Sequence, residues 1–100
     1  MAIDYYNKAI VTYIKNYTYQ FINDHNPIYF LNRAKCFKVK HLFDKQYADS
    51  LKAIELDDTY IKAYIVNGEA LVELGKMENN TAKIEKGIQR MKKALNMCFK

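Results

Sequence analysis

Two stretches of the sequence match each other at a displacement of 34 residues. Phe30 aligns with Tyr64, Ala34 with Gly68, and Phe37 with Leu71. In both stretches a small residue stands between two large apolar residues at helical spacing, so that neighbouring helices can approach closely and the large side chains can fill the space between them. A unit that recurs at such a period buries its apolar face against its neighbours. The repeat therefore predicts stacked copies of one helical unit.

Apolar residues recur at steps of three or four along the whole chain, which predicts five helices. We expect them at about residues 2–22, 27–40, 43–56, 60–74 and 82–99. Asn26 and Pro27 are typical of a helix start, and Gly75 is typical of a helix end. A Lys-Ala-Ile or Lys-Ala-Leu triplet occupies the same place in the first, third and fifth helices, at residues 8–10, 52–54 and 93–95.

The composition supports an all-α domain. One hundred residues make one domain of ordinary size. Half of the residues are hydrophobic, which argues against a disordered chain, and only three glycines and one proline are present. Such a low content disfavours an all-β sandwich or barrel with its many turns. Short connections between five helices predict antiparallel hairpins.

The same composition excludes several classes of function. Cys36 and Cys98 lack the paired spacing of a zinc site, so we expect two free thiols and no metal or other cofactor. No membrane span, secretory signal, nucleophile motif or phosphate loop is present, which predicts a cytoplasmic, non-enzymatic protein without a membrane partner. The net charge of +5 lies mostly on helix faces outside any known nucleic-acid-binding module, so nucleic acid is not an expected partner.

The 34-residue unit resembles the tetratricopeptide repeat, a helix–turn–helix motif of that length. The stretch NPIYFLNRAKCFKVKHLFDKQYADSLKAIELDD resembles one complete repeat, and TYIKAYIVNGEALVELGK resembles the first helix of the next. GIQRMKKALNM resembles its second helix, and AIDYYNKAI the second helix of a preceding repeat. The resemblance implies a single solenoid domain over residues 1–100, with about two and a half repeats. The half repeat is the second helix of an incomplete first repeat, at 2–22. The two complete repeats lie at 27–58 and at 60–99, the latter with an insertion near 76–83.

Two departures from the family pattern affect these expectations. Gln46 stands where the family usually has an alanine, so we expect a loosened or shifted contact there. The first helix of the first repeat is missing from the sequence, which leaves open whether Met1 is the native start.

Asn32-Arg33-Ala34 and Ile61-Lys62-Ala63-Tyr64 resemble the co-chaperone subclass of tetratricopeptide repeats. In that subclass a carboxylate clamp binds the acidic C-terminal Glu-Glu-Val-Asp peptide of Hsp70 or Hsp90. The resemblance implies that Asn32 and Lys62 are clamp residues, whereas Val66 stands where an arginine is frequent. Helical spacing places further residues on the same inner face, and of these we predict Leu31, Lys35, Val66 and Glu69 as peptide-binding.

Alternatives to this assignment exist for each clamp residue and for the whole domain. Asn32 could instead make a hydrogen bond between helices, and Lys62 could be a solvated lysine. A scaffold or self-association module is the other function that the sequence allows. Without a preceding helix, the first helix would leave apolar side chains uncovered and could form a homodimer. The candidates are Ile3, Tyr6, Ile10 and Tyr13.

Overall fold

A computed structural model describes residues 25–99 of the chain. These residues form four α-helices, namely α1 (Pro27–Val39), α2 (Phe43–Leu56), α3 (Ile61–Glu78) and α4 (Thr81–Cys98). They correspond to the second to fifth predicted helices, and the prediction of an all-helical fold is confirmed over this part of the chain. The predicted first helix at 2–22 lies outside the described residues.

Side-chain caps begin two of the helices. The Oδ1 atom of Asn26 accepts a hydrogen bond from the backbone N–H of Ile28 at 3.0 Å, and Pro27 occupies the first turn of α1. The prediction of a helix start at Asn26 is thereby confirmed. Asn80 caps α4 in the same way, since its Oδ1 atom accepts from the backbone N–H of Lys83 at 3.1 Å. Both caps satisfy amide groups that have no partner within the helix.

The end of α3 differs from the prediction. We expected the helix to stop at Gly75, but it continues to Glu78 and ends at Asn79, whose φ of 53° is left-handed. Asparagine tolerates this conformation better than most residues with a side chain. The glycine at position 75 instead allows α4 to pack closely against α3, because a Cβ atom there would lie 2.6 Å from Cγ1 of Ile84.

The second hairpin is consequently longer than the first. Helices α3 and α4 have 18 residues each, whereas α1 has 13 and α2 has 14. Much of the predicted insertion near residues 76–83 is helical, since only residues 79 and 80 separate α3 from α4. The extra residues thus lengthen the hairpin and leave its turn short.

Helices that follow one another in sequence pack against each other, and α1 also contacts α3. Small residues make the closest approaches. Ala53 and Ala94, from the Lys-Ala-Ile and Lys-Ala-Leu triplets, are buried as the pattern predicts. Helices α3 and α4 cross at Gly68 and Gly87, where a Cβ atom on either glycine would lie 2.6 Å from the carbonyl oxygen of the other. The backbones themselves therefore touch at this crossing.

Buried amides hold α2 against α3. Gln46 is fully buried, and its Nε2 atom donates to the carbonyl oxygen of Val66 at 2.9 Å. Asn67 is also fully buried, and its Nδ2 atom donates to Oγ of Ser50 at 3.1 Å. Where we expected Gln46 to loosen or shift the contact, its amide nitrogen joins the two hairpins by a hydrogen bond, while its Oε1 atom is buried without a hydrogen-bond partner among residues 25–99.

Candidate functional site

A groove of about 380 Å³ runs between α1 and α3. Both helices are the first of their hairpins, and their facing sides contribute cationic, apolar and acidic side chains. The groove, as we use the term, is lined by Lys35, Lys38, Val39, Lys62, Ile65, Val66 and Glu69.

The structure brings four of the six predicted site residues together in this groove, namely Lys35, Lys62, Val66 and Glu69. The other two are placed differently. Asn32 is half-buried and outside the lining, and within residues 25–99 its side chain makes no hydrogen bond. Leu31 is fully buried in the core and offers no surface to a ligand. It packs in the same buried cluster as Val66, which is 6% exposed, and supports α1 from the interior.

Three lysines and one glutamate give the groove an excess of two positive charges. Lys38, in the last turn of α1, forms an ion pair with Glu69 of α3, with 2.7 Å between Nζ and Oε2. Within residues 25–99, Lys35 and Lys62 form no ion pair. Their ammonium groups are consequently available to an anionic ligand, and a concave surface of one charge sign attracts ligands of the opposite sign.

Apolar side chains accompany the lysines. Val39 is 79% exposed and Ile65 is exposed as well, although both are aliphatic and line the groove. Ile28 adds exposed aliphatic surface on α1. A ligand that fits this surface combines acidic groups with apolar side chains.

Arg33 lies next to Asn32 in sequence but is engaged elsewhere. Its guanidinium group donates two hydrogen bonds to the carboxylate of Asp49 on α2, at 2.7 and 2.9 Å. The group also lies 5.6 Å from the ring centre of Phe30 and 6.0 Å from that of Phe37. The hydrogen bond to Asp49 raises the pKa of Arg33 above its usual value. Arg33 thus joins α1 to α2 and does not serve the groove.

A second hollow, of about 430 Å³, adjoins the groove beside the turn between α1 and α2. Lys38 and Glu69 line both spaces, so their ion pair lies at the boundary between them. We call this space the side hollow. Its remaining lining residues are His41, Phe43, Gln46, Val72, Glu73 and Met91. Sequence reasoning missed it because side chains from all four described helices, distant from one another in sequence, line it together.

Residues 25–99 contain no cluster of three or more histidine, cysteine, aspartate or glutamate side chains suited to a metal ion. Cys36 and Cys98 are free thiols, as the sequence predicts. In the same part of the chain, no helix is both long enough and apolar enough to cross a bilayer.

Comparison with known proteins supports a tetratricopeptide-repeat domain. The chain is 31% identical over 88 residues to small glutamine-rich tetratricopeptide repeat-containing protein 2 of Mycosarcoma maydis, a match that covers 88% of this chain and 22% of that protein. It is 36% identical over 63 residues to serine/threonine-protein phosphatase T of Aspergillus oryzae, covering 63% of this chain and 11% of that protein. No protein-family model matches the chain. No solved structure matches it.

The chain thus spans about a fifth of the length of the first relative and about a tenth of the second. The first similarity points to a module that binds other proteins and not to a catalytic domain. The second match is too short to carry an enzymatic activity over to this chain.

Proposed function

We propose that this domain binds the acidic C-terminal peptide of a cytoplasmic partner, of the kind that ends Hsp70 and Hsp90, in the groove between α1 and α3. The observation that carries the proposal is the convergence of Lys35 and Lys62 from two different helices on one concave space. A protein-binding module of the tetratricopeptide type supplies such a surface with the first helices of its hairpins.

The charges of the groove favour an acidic peptide. Ammonium groups donate charge-assisted hydrogen bonds to carboxylates, which are shorter and stronger than neutral ones. Val39 and Ile65 supply apolar surface beside these charges. A peptide such as Glu-Glu-Val-Asp matches both features, because an aliphatic side chain lies among its carboxylates.

The preference for a chain end rests on the resemblance of Asn32 and Lys62 to clamp residues. A C-terminal aspartate presents two carboxylates on one residue, which an internal residue does not. Asn32 lies one turn before Lys35 on α1, and its half-buried side chain is outside the lining of the groove, so the proposal requires a ligand that extends beyond Lys35 toward the start of α1. Val66 in place of an arginine leaves Lys35 as the additional cation.

Titration of a fluorescent peptide that ends in Glu-Glu-Val-Asp, monitored by anisotropy, tests this proposal. We expect Lys62→Ala or Asn32→Ala to weaken binding more than tenfold, because each removes a hydrogen bond to a charged partner worth roughly 1.5–3 kcal/mol. Lys52→Ala is the matched control, since Lys52 is exposed on α2 and lines neither the groove nor the side hollow.

The same peptide with an amidated C-terminus separates recognition of a chain end from general attraction between charges. We expect the amidated peptide to bind far more weakly than the free acid. Equal binding of both forms would contradict capture of the terminus, and an unchanged affinity of Lys62→Ala would contradict the assignment of the groove.

Self-association is the second candidate function, and one observation favours it. Ile88, Leu95 and Phe99 are exposed at helical spacing on or just after α4, and Phe99 is 81% exposed. Exposed apolar surface of this kind is typical of a protein interface. The version of this hypothesis that uses the first helix concerns residues outside the described part. A mass of two chains in light scattering supports self-association, and a mass of one chain at high concentration contradicts it.

A further inference from the structure

We infer that Lys38 is a third anion-binding cation of the groove and that Glu69 acts as its internal competitor, so that the ion pair between them selects for strongly acidic ligands. This inference rests on the proposed function, because it concerns the same groove and the same class of ligand. It changes the predicted role of Glu69, which becomes a residue that regulates access to Lys38 and does not itself hold the peptide.

The ion pair is well placed for this role. Nζ of Lys38 lies 2.7 Å from Oε2 of Glu69, and the two residues line the groove together with Lys35 and Lys62. The carboxylate of Glu69 therefore occupies a position on Lys38 that a carboxylate of a ligand could take. Among residues 25–99, neither of the two residues has another ion-pair partner.

The pair is also easily opened. The side chain of Lys38 is 46% exposed and that of Glu69 is 33% exposed, so both groups remain in contact with solvent. Ion pairs of this exposure contribute little net stability, because water solvates the separated charges nearly as well. Exchanging Glu69 for a carboxylate of the ligand thus replaces one bond by a similar one and does not leave a buried charge unpaired.

Glu69 has space into which it can move. Glu69 lines both the groove and the side hollow, so open space adjoins it on two sides and its carboxylate can leave Lys38 without a clash. While it stays in the groove, its negative charge opposes every incoming carboxylate. A ligand with one acidic group gains little against this repulsion, whereas one with several gains contacts to Lys35, Lys38 and Lys62 together. The pair thereby favours ligands rich in carboxylates.

The test combines two single substitutions with their double variant. We expect Glu69→Gln to raise the affinity for the free-acid Glu-Glu-Val-Asp peptide about threefold at low salt, because a neutral amide competes for Lys38 more weakly than a carboxylate and carries no charge that repels the ligand. We expect Lys38→Met to lower the affinity. In the Lys38→Met background, the additional Glu69→Gln change should give a smaller gain, since it still removes the repulsion of the ligand but the cation that it would free is absent.

Glu73→Gln is the matched control. Glu73 lies one turn beyond Glu69 on the same helix and lines the side hollow but not the groove. Glu73→Gln removes the same charge as Glu69→Gln. An equal gain in peptide affinity would therefore show that only the net charge of the domain matters, and would overturn the inference. A gain from Glu69→Gln that persists undiminished in the Lys38→Met background would overturn it as well.

The remaining outcomes separate this inference from the proposed function. Peptide binding by the wild-type domain together with an unchanged affinity of Glu69→Gln overturns the inference alone. Binding by Glu69→Gln but not by the wild type supports the inference in its strongest form. Absence of binding by every variant overturns both. Circular dichroism of each variant establishes that it is folded, which is expected because both side chains are partly exposed.

Discussion

Replacement of Gly87 by alanine tests whether the backbones of α3 and α4 touch. The new Cβ atom would lie 2.6 Å from the carbonyl oxygen of Gly68, 2.8 Å from Cγ2 of Val72 and 2.9 Å from the backbone nitrogen of Val72. Ordinary contact begins at 3.4 Å, so the shortest distance falls 0.8 Å short. Two of the three opposing atoms belong to the backbone of α3. A change of rotamer therefore does not relieve the conflict, and the helices have to move apart.

Two opposing effects determine how much Gly87→Ala changes the free energy of unfolding. Alanine favours a helix over glycine by about 1 kcal/mol, which stabilises the variant. Forcing extra volume into a packed crossing costs about 1–3 kcal/mol, and a contact with backbone atoms belongs at the upper end of that range. The net result is a loss of about 1–2 kcal/mol of unfolding free energy. Since 1 kcal/mol corresponds to about 4–8 °C in a domain of this size, Tm should fall by roughly 4–16 °C.

Urea unfolding followed by circular dichroism measures this loss. Gln89→Ala is the control, because Gln89 is exposed on the same helix and its replacement leaves the crossing untouched. Gly68→Ala should be destabilised like Gly87→Ala, since its Cβ atom would lie 2.6 Å from the carbonyl oxygen of Gly87. A Gly87→Ala variant as stable as the wild type, or more stable, would refute the close approach of the two backbones.

Two further predictions concern ionisable groups. Burial raises the pKa of the Cys36 thiol, whereas Cys98 is exposed, so an alkylating reagent at mildly alkaline pH should modify Cys98 first. Mass spectrometry of samples taken over time measures the order of modification. Faster modification of Cys36 would contradict the prediction. Hydrogen bonds from the hydroxyl and the backbone N–H of Thr59 lower the pKa of Asp57. The stabilisation of the folded state by this carboxylate is therefore complete above its ordinary pKa and is lost as pH falls through the lowered pKa. Thr59→Ala should therefore be less stable than the wild type near neutral pH, with a difference that shrinks in acid; a difference independent of pH would count against the hydrogen bonds as its cause.

Local sequence was sufficient to predict most of the helix boundaries. Asn26 with Pro27 fixes the start of α1 because both residues act within the first turn. Gly75 misled the prediction, since a glycine serves equally as a helix end and as a place where another helix approaches. The residues that settle its role, Asn79 and Ile84, act through a left-handed turn and through contact with α4. Neither effect is visible in the helical periodicity of α3.

Helical spacing was sufficient to predict which residues of a single helix share the face that lines the groove. Residues one turn apart share a face, which is why Lys62, Val66 and Glu69 line the groove together. Leu31 lies at the edge of the corresponding face of α1, and the packing of the neighbouring helices decides that it is buried. The ion pair of Lys38 with Glu69 joins residues 31 positions apart. Its formation depends on how α1 and α3 are stacked, which the sequence pattern of either helix alone does not contain.

The buried amides between α2 and α3 determine more than the cohesion of the two hairpins. The amide nitrogens of Gln46 and Asn67 make their hydrogen bonds at one longitudinal setting of the helices, whereas aliphatic side chains tolerate sliding. The amide oxygens of both residues are buried without a hydrogen-bond partner among residues 25–99. The hydrogen bonds of these interior amides therefore help to set the distance between the ammonium groups on the two walls of the groove. Exchange of these amides for leucine or methionine would leave the helices intact but would allow α2 and α3 to slide past each other, which changes the distance between the walls of the groove.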